Sequence, residues 1–99
     1  MSSISTHVLD TARGEPARGV LVELFREDVL LSAQETDPDG RIADLASGPL
    51  AAGRYRLVFH PPSAFFARVE LEVVVNDPAR HYHVPLLFSP YSCASYRGS

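Results

Sequence analysis

Short runs in which apolar and polar side chains alternate constrain this chain more than any other feature. A period of two residues places alternate side chains on opposite faces of a β-strand, and no segment shows a sustained helical period. The predicted strands cover residues 4–9, 20–26, 29–34, 54–60, 69–75, 81–88 and a last extended stretch that starts at Tyr91. Clusters of Gly, Pro, Asp, Asn and Ser separate them. This pattern predicts an all-β fold, an antiparallel β-sandwich, with at most one short helix near residues 63–67.

The size and charge of the chain limit its organisation and its partners. With 99 residues, of which 45% are hydrophobic and 21% charged, the chain is expected to form a single domain over residues 1–99. The formal net charge is -3, and all 9 positive charges come from scattered arginines. This argues against nucleic acid as a partner, because phosphate binding needs a clustered basic surface. Neither a polybasic patch nor an apolar run of about 18–20 residues is present to engage a membrane.

Cysteine usage and the N-terminal residues predict a cytoplasmic protein. Cys93 is the one cysteine, so neither an internal disulfide nor a cysteine-based zinc site can form, which favours a reducing compartment. Residues 1–7 carry neither the basic region nor the apolar region of a secretory signal peptide. Cys93 itself is interpreted as a small, half-buried hydrophobic residue.

Two histidines, His81 and His83, stand two residues apart on a predicted strand. The alternation turns Tyr82 inward, so both imidazoles are expected on the outward face. This spacing suits a shared metal ion, a proton-transfer pair or an ordinary pair of surface histidines, and the residues alone leave these alternatives open. His7 is expected to point away from the core in the same manner, on the face of Ser5.

The other candidate residues have ordinary interpretations. Arg41 directly follows the turn at residues 37–40 and is by default a solvated charge, while His60 precedes two prolines and is expected in a loop. The sequence shows no Gly-rich phosphate loop, no nucleophile elbow and no pair of carboxylates with acid/base spacing. Taken alone, the residues therefore predict a β-sandwich with an outward histidine cluster.

A set of motifs resembles one enzyme family. The motifs are Ser-Thr-His-Val-Leu-Asp at 5–10, Asp-Gly-Arg at 39–41, His-Tyr-His-Val-Pro-Leu-Leu at 81–87 and the terminal Tyr-Arg-Gly-Ser at 96–99. In this order, and over nearly the whole chain, they resemble the 5-hydroxyisourate hydrolases, a family related to transthyretin. The terminal motif separates these enzymes from transthyretin itself. The chain departs from the family at residues 60–64, where the family usually has a longer connection with a short helix.

The resemblance implies a fold, an assembly and a reaction. The fold would be a prealbumin-like sandwich of two four-stranded sheets, assembled as a homotetramer with its active sites in a channel at the dimer–dimer interface. The reaction would be hydrolysis of 5-hydroxyisourate, the product of urate oxidation, to 2-oxo-4-hydroxy-4-carboxy-5-ureidoimidazoline in purine degradation. Water would attack a carbonyl carbon of the cyclic amide, and no cofactor is implied.

The resemblance also implies roles for individual residues. His7 and His83 would activate water and transfer protons, without a decision about which is the base, and Arg41 would orient the substrate and stabilise negative charge. The catalytic residues so implied are His7, Arg41, His83 and Ser99, and the substrate-binding residues are His7, Arg41, His81, Tyr96, Arg97 and Gly98. No metal ligand is assigned.

Two other classes of protein stay open as alternatives. A transthyretin-like carrier would share the fold and hold a small aromatic ligand without converting it. The terminal Tyr-Arg-Gly-Ser motif and a polar, histidine-rich channel argue against this class. An immunoglobulin-like adhesion or carbohydrate-binding domain would account for the strands only, because the chain lacks the tryptophan and the paired cysteines of that fold.

Overall fold

Ten β-strands make up the regular structure of the chain, as a computed structural model describes it for residues 2–98. The strands are β1 (Ser3–Asp10), β2 (Glu15–Pro16), β3 (Leu21–Arg26), β4 (Val29–Glu35), β5 (Arg41–Ile42), β6 (Gly53–His60), β7 (Val69–Val75), β8 (His81–His83), β9 (Leu86–Ser89) and β10 (Ser92–Ser95). Residues 2–98 contain no helix, and therefore none long and apolar enough to cross a membrane.

The strands form two sheets, which confirms the predicted sandwich. One sheet has four antiparallel strands in the order β4-β3-β6-β7. The other has six short segments arranged around β1: β8 and β9 run parallel to it, β2 and β5 run antiparallel to it, and β10 pairs with β9. The first sheet therefore has the expected four strands. The second sheet differs from the expectation because it has six short strands, some parallel and some antiparallel.

The hydrophobic core lies between the two sheets. The predicted alternation is confirmed on its best-defined strands, where every second residue is fully buried. Core residues of this kind include Ile4, Val8, Val22, Leu24, Leu57, Phe59, Leu86 and Phe88. Burying each such side chain contributes roughly 1.5–3 kcal/mol, so the inward face of β1 is strongly specified. Its other face, which carries His7, must then point away from the core.

The predicted strand at residues 81–88 is interrupted between β8 and β9. A strand that continued through residue 85 would turn Pro85 outward with His81 and His83, but Pro85 is fully buried. Proline has no N–H for a sheet ladder, so the chain leaves the strand there. Side-chain hydroxyls satisfy the carbonyls released at the break: Thr6 Oγ1 donates to Val84 O at 2.6 Å and Ser95 Oγ donates to Pro85 O at 2.7 Å.

The connection after β6 contains no helix, which agrees with the prediction of at most one. At residues 63–67 the Ser63 hydroxyl accepts the N–H groups of Phe65 and Phe66 at 3.1 and 3.0 Å and holds them in a turn. One expectation about the end of β6 is wrong. His60 is the last residue of β6 and not part of a loop. Its backbone pairs with Leu21 of β3, so it belongs to the outer face of the four-stranded sheet.

Candidate active site

The site is built on the outward face of β1, where three strands meet. His7 is opposite Arg41 of β5, and Ser5 is opposite His83 of β8. Because β5 lies along one edge of β1 and β8 along the other, residues far apart in the sequence come to one face. The structure thus brings together the four side chains His7, Arg41, His81 and His83 that the sequence singled out.

A tight turn fixes the orientation of His7. Its Nε2 lies 2.9 Å from the carbonyl oxygen of Asp39, and since a carbonyl only accepts, this nitrogen carries the proton. The Nδ1 atom is left as the acceptor. The turn requires glycine at Gly40, whose φ is 76° and where an added Cβ would lie 2.5 Å from the Val8 carbonyl oxygen.

Arg41 enters the site from the same turn. Asp37 Oδ1 accepts the backbone N–H groups of Asp39 and Arg41 at 2.9 and 2.8 Å, so this carboxylate holds the backbone and not the guanidinium. Within residues 2–98 the Arg41 side chain has no ion-pair partner. Its permanent positive charge is therefore available to a ligand.

A row of alternating hydroxyls and imidazoles connects β1 to β8. Ser5 Oγ lies 2.7 Å from His83 Nδ1 and also 2.7 Å from His81 Nε2. Ser3 Oγ lies 2.5 Å from His81 Nδ1. The parallel register, which sets Ser3 opposite His81 and Ser5 opposite His83, creates this row.

Burial and neighbouring cations lower the pKa of His83 below its ordinary value of 6.5. Loss of solvent is the largest cause, followed by electrostatic repulsion from Arg41 and from the neighbouring imidazoles of His7 and His81. The imidazole is therefore neutral near pH 7 and able to accept a proton. A base of this kind beside a free guanidinium is suited to attack by water on a carbonyl group.

These groups border an open cleft of about 460 Å³. Its lining residues are Ser5, Thr6, Asp37, Arg41, Ile42, Ala43, His81 and His83. This volume lies in the range of small-molecule sites. His7 adjoins the cleft through its pairing with Arg41.

The C-terminal residues divide between two places. Gly98 donates its N–H to His83 O at 2.8 Å, and an added Cβ at Gly98 would overlap Cδ2 of the His83 ring. Arg97 lies over the Tyr82 ring at 4.8 Å, and both Tyr96 and Arg97 line a neighbouring groove beside β7. Among residues 96–98 of one chain, Gly98 is thus the residue that contacts the histidine cluster, and the binding roles of Tyr96 and Arg97 stay predictions.

Some predicted and missed residues complete the description. Ser99 lies outside the described residues, so its catalytic role also stays a prediction. Sequence reasoning missed Ser3 and Asp39 as site residues and noted Ser5 only as a neighbour of His7. The signal that could have identified the serines is the face of β1 that they share with His7.

Among residues 2–98, no group of three or more His, Cys, Asp or Glu side chains could hold a metal ion. Cys93 packs against the core, as expected.

Known proteins resemble this chain over its full length. The family described as "Transthyretin: HIUase/Transthyretin family" matches residues 4–98. The "5-hydroxyisourate hydrolase 2" of Rhizobium meliloti is 41% identical and the alignment covers 97% of this chain and 95% of that protein. The "5-hydroxyisourate hydrolase" of Caulobacter vibrioides is 40% identical with 100% of both chains covered. The solved structure of Klebsiella pneumoniae 5-hydroxyisourate hydrolase superposes with a TM-score of 0.90 at 38% identity, covering 98% of this chain and 99% of that one.

Proposed function

Because this chain belongs to the HIUase/Transthyretin family, we propose that it hydrolyses 5-hydroxyisourate with His7, Arg41 and His83 as the residues that carry the reaction. The protein is an enzyme, a hydroxyisourate hydrolase, and its product is 2-oxo-4-hydroxy-4-carboxy-5-ureidoimidazoline in urate degradation. Three groups meet on one face of β1, and this observation carries the proposal: a neutral His83, an oriented His7, and an Arg41 that has no ion-pair partner among residues 2–98.

His83 is the group suited to activate water. Ser5 occupies its Nδ1, so Nε2 is the nitrogen that can take a proton from water as the oxygen attacks the carbonyl carbon. The same nitrogen then returns the proton to the leaving ring nitrogen as the cyclic amide opens. His7 presents a free Nδ1 as a hydrogen-bond acceptor, which orients the attacking water.

Arg41 is suited to the charge that develops on the substrate. Attack by water converts the carbonyl oxygen into an oxyanion, and a forked, permanently charged guanidinium stabilises this charge more than it stabilises the neutral carbonyl. No carboxylate of residues 2–98 pairs with Arg41 and reduces this effect.

The properties of the cleft disfavour a carrier. An aromatic ligand held without reaction would prefer an apolar lining, whereas this cleft is bordered by His81, His83, Arg41 and Asp37. A low-pKa imidazole beside a free cation also has no use in the simple storage of an uncharged ligand.

The assembly, domain and location are part of the same proposal. We take residues 1–99 as one transthyretin-like domain, supported by the single core shared by both sheets. A homotetramer with sites at the dimer–dimer interface would enclose the face of β1 that a single chain leaves open, in a channel that still admits water and substrate to His81. A cytoplasmic location agrees with the single, unpaired Cys93.

Generating the substrate in place tests the reaction. Urate and a urate oxidase produce 5-hydroxyisourate in the cuvette, and its ultraviolet decay is followed with and without this protein. We expect the decay to accelerate with the wild type and not with a folded His83→Ala variant. An unaccelerated decay, together with measurable binding of the compound, would instead identify a carrier.

Sedimentation of the active protein tests the assembly. We expect one species of four chains at the concentration used for catalysis. A monomer that hydrolyses 5-hydroxyisourate at the full rate would contradict the shared interface and leave the reaction itself unaffected.

A further inference from the structure

The row Ser3, His81, Ser5, His83 leads away from the proposed base to the surface. We propose that Ser5 and His81 form a proton relay between His83 and solvent, an inference that rests on His83 being the base of the proposed reaction. His81 is then a positioning and relay residue and not a direct ligand of the substrate.

The occupied ring nitrogens of His81 support this assignment. One nitrogen lies 2.5 Å from Ser3 Oγ and the other lies 2.7 Å from Ser5 Oγ. An imidazole has only two nitrogens, so neither is left to bind a substrate while the row is intact. His81 is also exposed, whereas His83 is half-buried, so the row runs from the interior of the site to water.

The Ser5 hydroxyl couples the two rings because it has a single proton. It lies at 2.7 Å from a nitrogen of each ring and can donate to only one of them, so the other ring must donate to it. Two arrangements are self-consistent. Either His83 Nδ1 donates to Ser5 and Ser5 donates to His81, or His81 donates to Ser5 and Ser5 donates to His83.

Proton transfer converts the first arrangement into the second. When His83 Nε2 accepts a proton from the attacking water, Nδ1–H passes its proton to Ser5 Oγ and the Ser5 proton moves to His81 Nε2. His81 Nδ1–H releases its proton to Ser3 or to water. One proton enters at His83 and one leaves at His81, so both rings end neutral, and the reverse movement restores the proton for the leaving nitrogen.

Replacing the central hydroxyl tests the relay. In Ser5→Ala we expect kcat to fall about 10-fold with KM nearly unchanged, a smaller loss than the roughly 10²-fold or more expected for removing the base itself. Ser5→Thr keeps a hydroxyl on a β-strand and should retain most of the activity. Added imidazole buffer should restore part of kcat in Ser5→Ala, because a small base can replace the missing proton path.

Replacing His81 distinguishes a relay from a binding role. His81→Gln keeps hydrogen-bonding groups but does not transfer protons, so kcat should fall by about the same factor as in Ser5→Ala. The double variant should lose no more than either single variant, since both interrupt one path. A raised KM with unchanged kcat in His81→Gln would show substrate binding instead and overturn the relay.

A matched control and a spectroscopic measurement complete the design. Ser89→Ala removes a half-buried hydroxyl from β9 of the same sheet, at a site without histidines, and should leave kcat unchanged. Nitrogen-15 NMR of the wild type should show the tautomers of His81 and His83 coupled through Ser5, and Ser5→Ala should uncouple them. Tautomers that are independent in the wild type, or full kcat in Ser5→Ala beside an active wild type, would overturn the relay alone. A wild type without hydrolysis would overturn the proposed function as well.

Discussion

Histidines occur on the outer faces of both sheets, but their surroundings differ. On the four-stranded sheet, His60 Nε2 lies 2.6 Å from Glu23 Oε1, so this imidazole faces a carboxylate. On the six-stranded sheet, three imidazoles and Arg41 come together with serine hydroxyls. The first arrangement gives the imidazole a carboxylate partner, and the second leaves the Arg41 guanidinium for a ligand. The partner of a histidine therefore indicates its role better than its exposure does.

The cations on the two faces show the same contrast. Near His60, Arg56 lies 3.2 Å from Glu70 and Arg68 lies 2.7 Å from the same carboxylate. The hydrogen bond from Arg68 lowers the pKa of Glu70, which keeps these charges paired. Arg41 has no such partner within residues 2–98. The arginines beside His60 are thus paired with a carboxylate, whereas the arginine beside the histidine cluster is not.

Removing one imidazole from each face should give the largest difference in kcat between two variants. We expect His83→Ala to lose about 10²-fold or more in kcat, because a positioned base contributes that much. His60→Ala should keep nearly the wild-type rate, since its partner is Glu23 and no ligand. Steady-state kinetics with folded variants measures both. Equal losses in the two variants would remove the functional distinction between the faces.

The second largest loss of activity is expected from a single methyl group added at Gly98, beside the His83 ring. The added Cβ of Gly98→Ala would overlap the His83 ring, so the ring must move. Displacing a catalytic group by about 1 Å can reduce the rate by up to about 10²-fold, and we expect a loss of roughly 10-fold or more. Gly14→Ala is the control: the added Cβ there meets nothing within 4 Å, and the strain of a side chain at a φ of 68° should lower stability without lowering kcat. Unchanged kinetics in Gly98→Ala would contradict the packing of the tail on His83.

The pH dependence of the activity should change when the positive charge of Arg41 is removed. Because the pKa of His83 is lowered from 6.5, the wild type should keep a neutral base, and its activity, below pH 6.5. The folded state also binds fewer protons than the unfolded state in that range, so stability falls as the pH drops below 6.5. Arg41→Met removes one cause of the shift and should move the acid limb of the activity profile to higher pH. NMR titration of His83 checks the assignment, and a His83 that titrates at or above 6.5 in the wild type would contradict it.

The inward faces of the strands could be predicted from the sequence because alternation is a local property. Tyr55, Leu57 and Phe59 are all buried as the period of two requires. The break at Pro85 also had a local cause, because proline lacks the N–H that a sheet ladder needs. The sequence prediction followed the alternation instead and continued the strand through this residue. Local signals therefore predict which face a residue occupies, and less well where a strand ends.

The contacts between distant strands could not be predicted in the same way. The row of hydroxyls and imidazoles depends on the parallel register of β1 and β8, which joins residues 78 positions apart. A shift by two residues would keep every side chain on its face but would place His83 opposite a different residue of β1, and nothing in either segment alone excludes that shift. The pairing of His60 with Glu23 has the same origin, since it depends on the register of β3 and β6. The resemblance to a known family identified His7, Arg41 and His83, but not the serines between the rings.

Neutralising the carboxylate opposite His60 should have the smallest effect and gives the comparison its sharpest control. Glu23→Gln keeps the size of the side chain but removes its charge, and both partners are partly exposed, at 36% and 23%. Pairs of this kind contribute about 0–1 kcal/mol, so we expect urea denaturation to show a loss of about 0.5 kcal/mol and kinetics to show none. A loss of kcat in Glu23→Gln would mean that the four-stranded face communicates with the cleft. The contrast between a structural and a functional histidine face would then have to be abandoned.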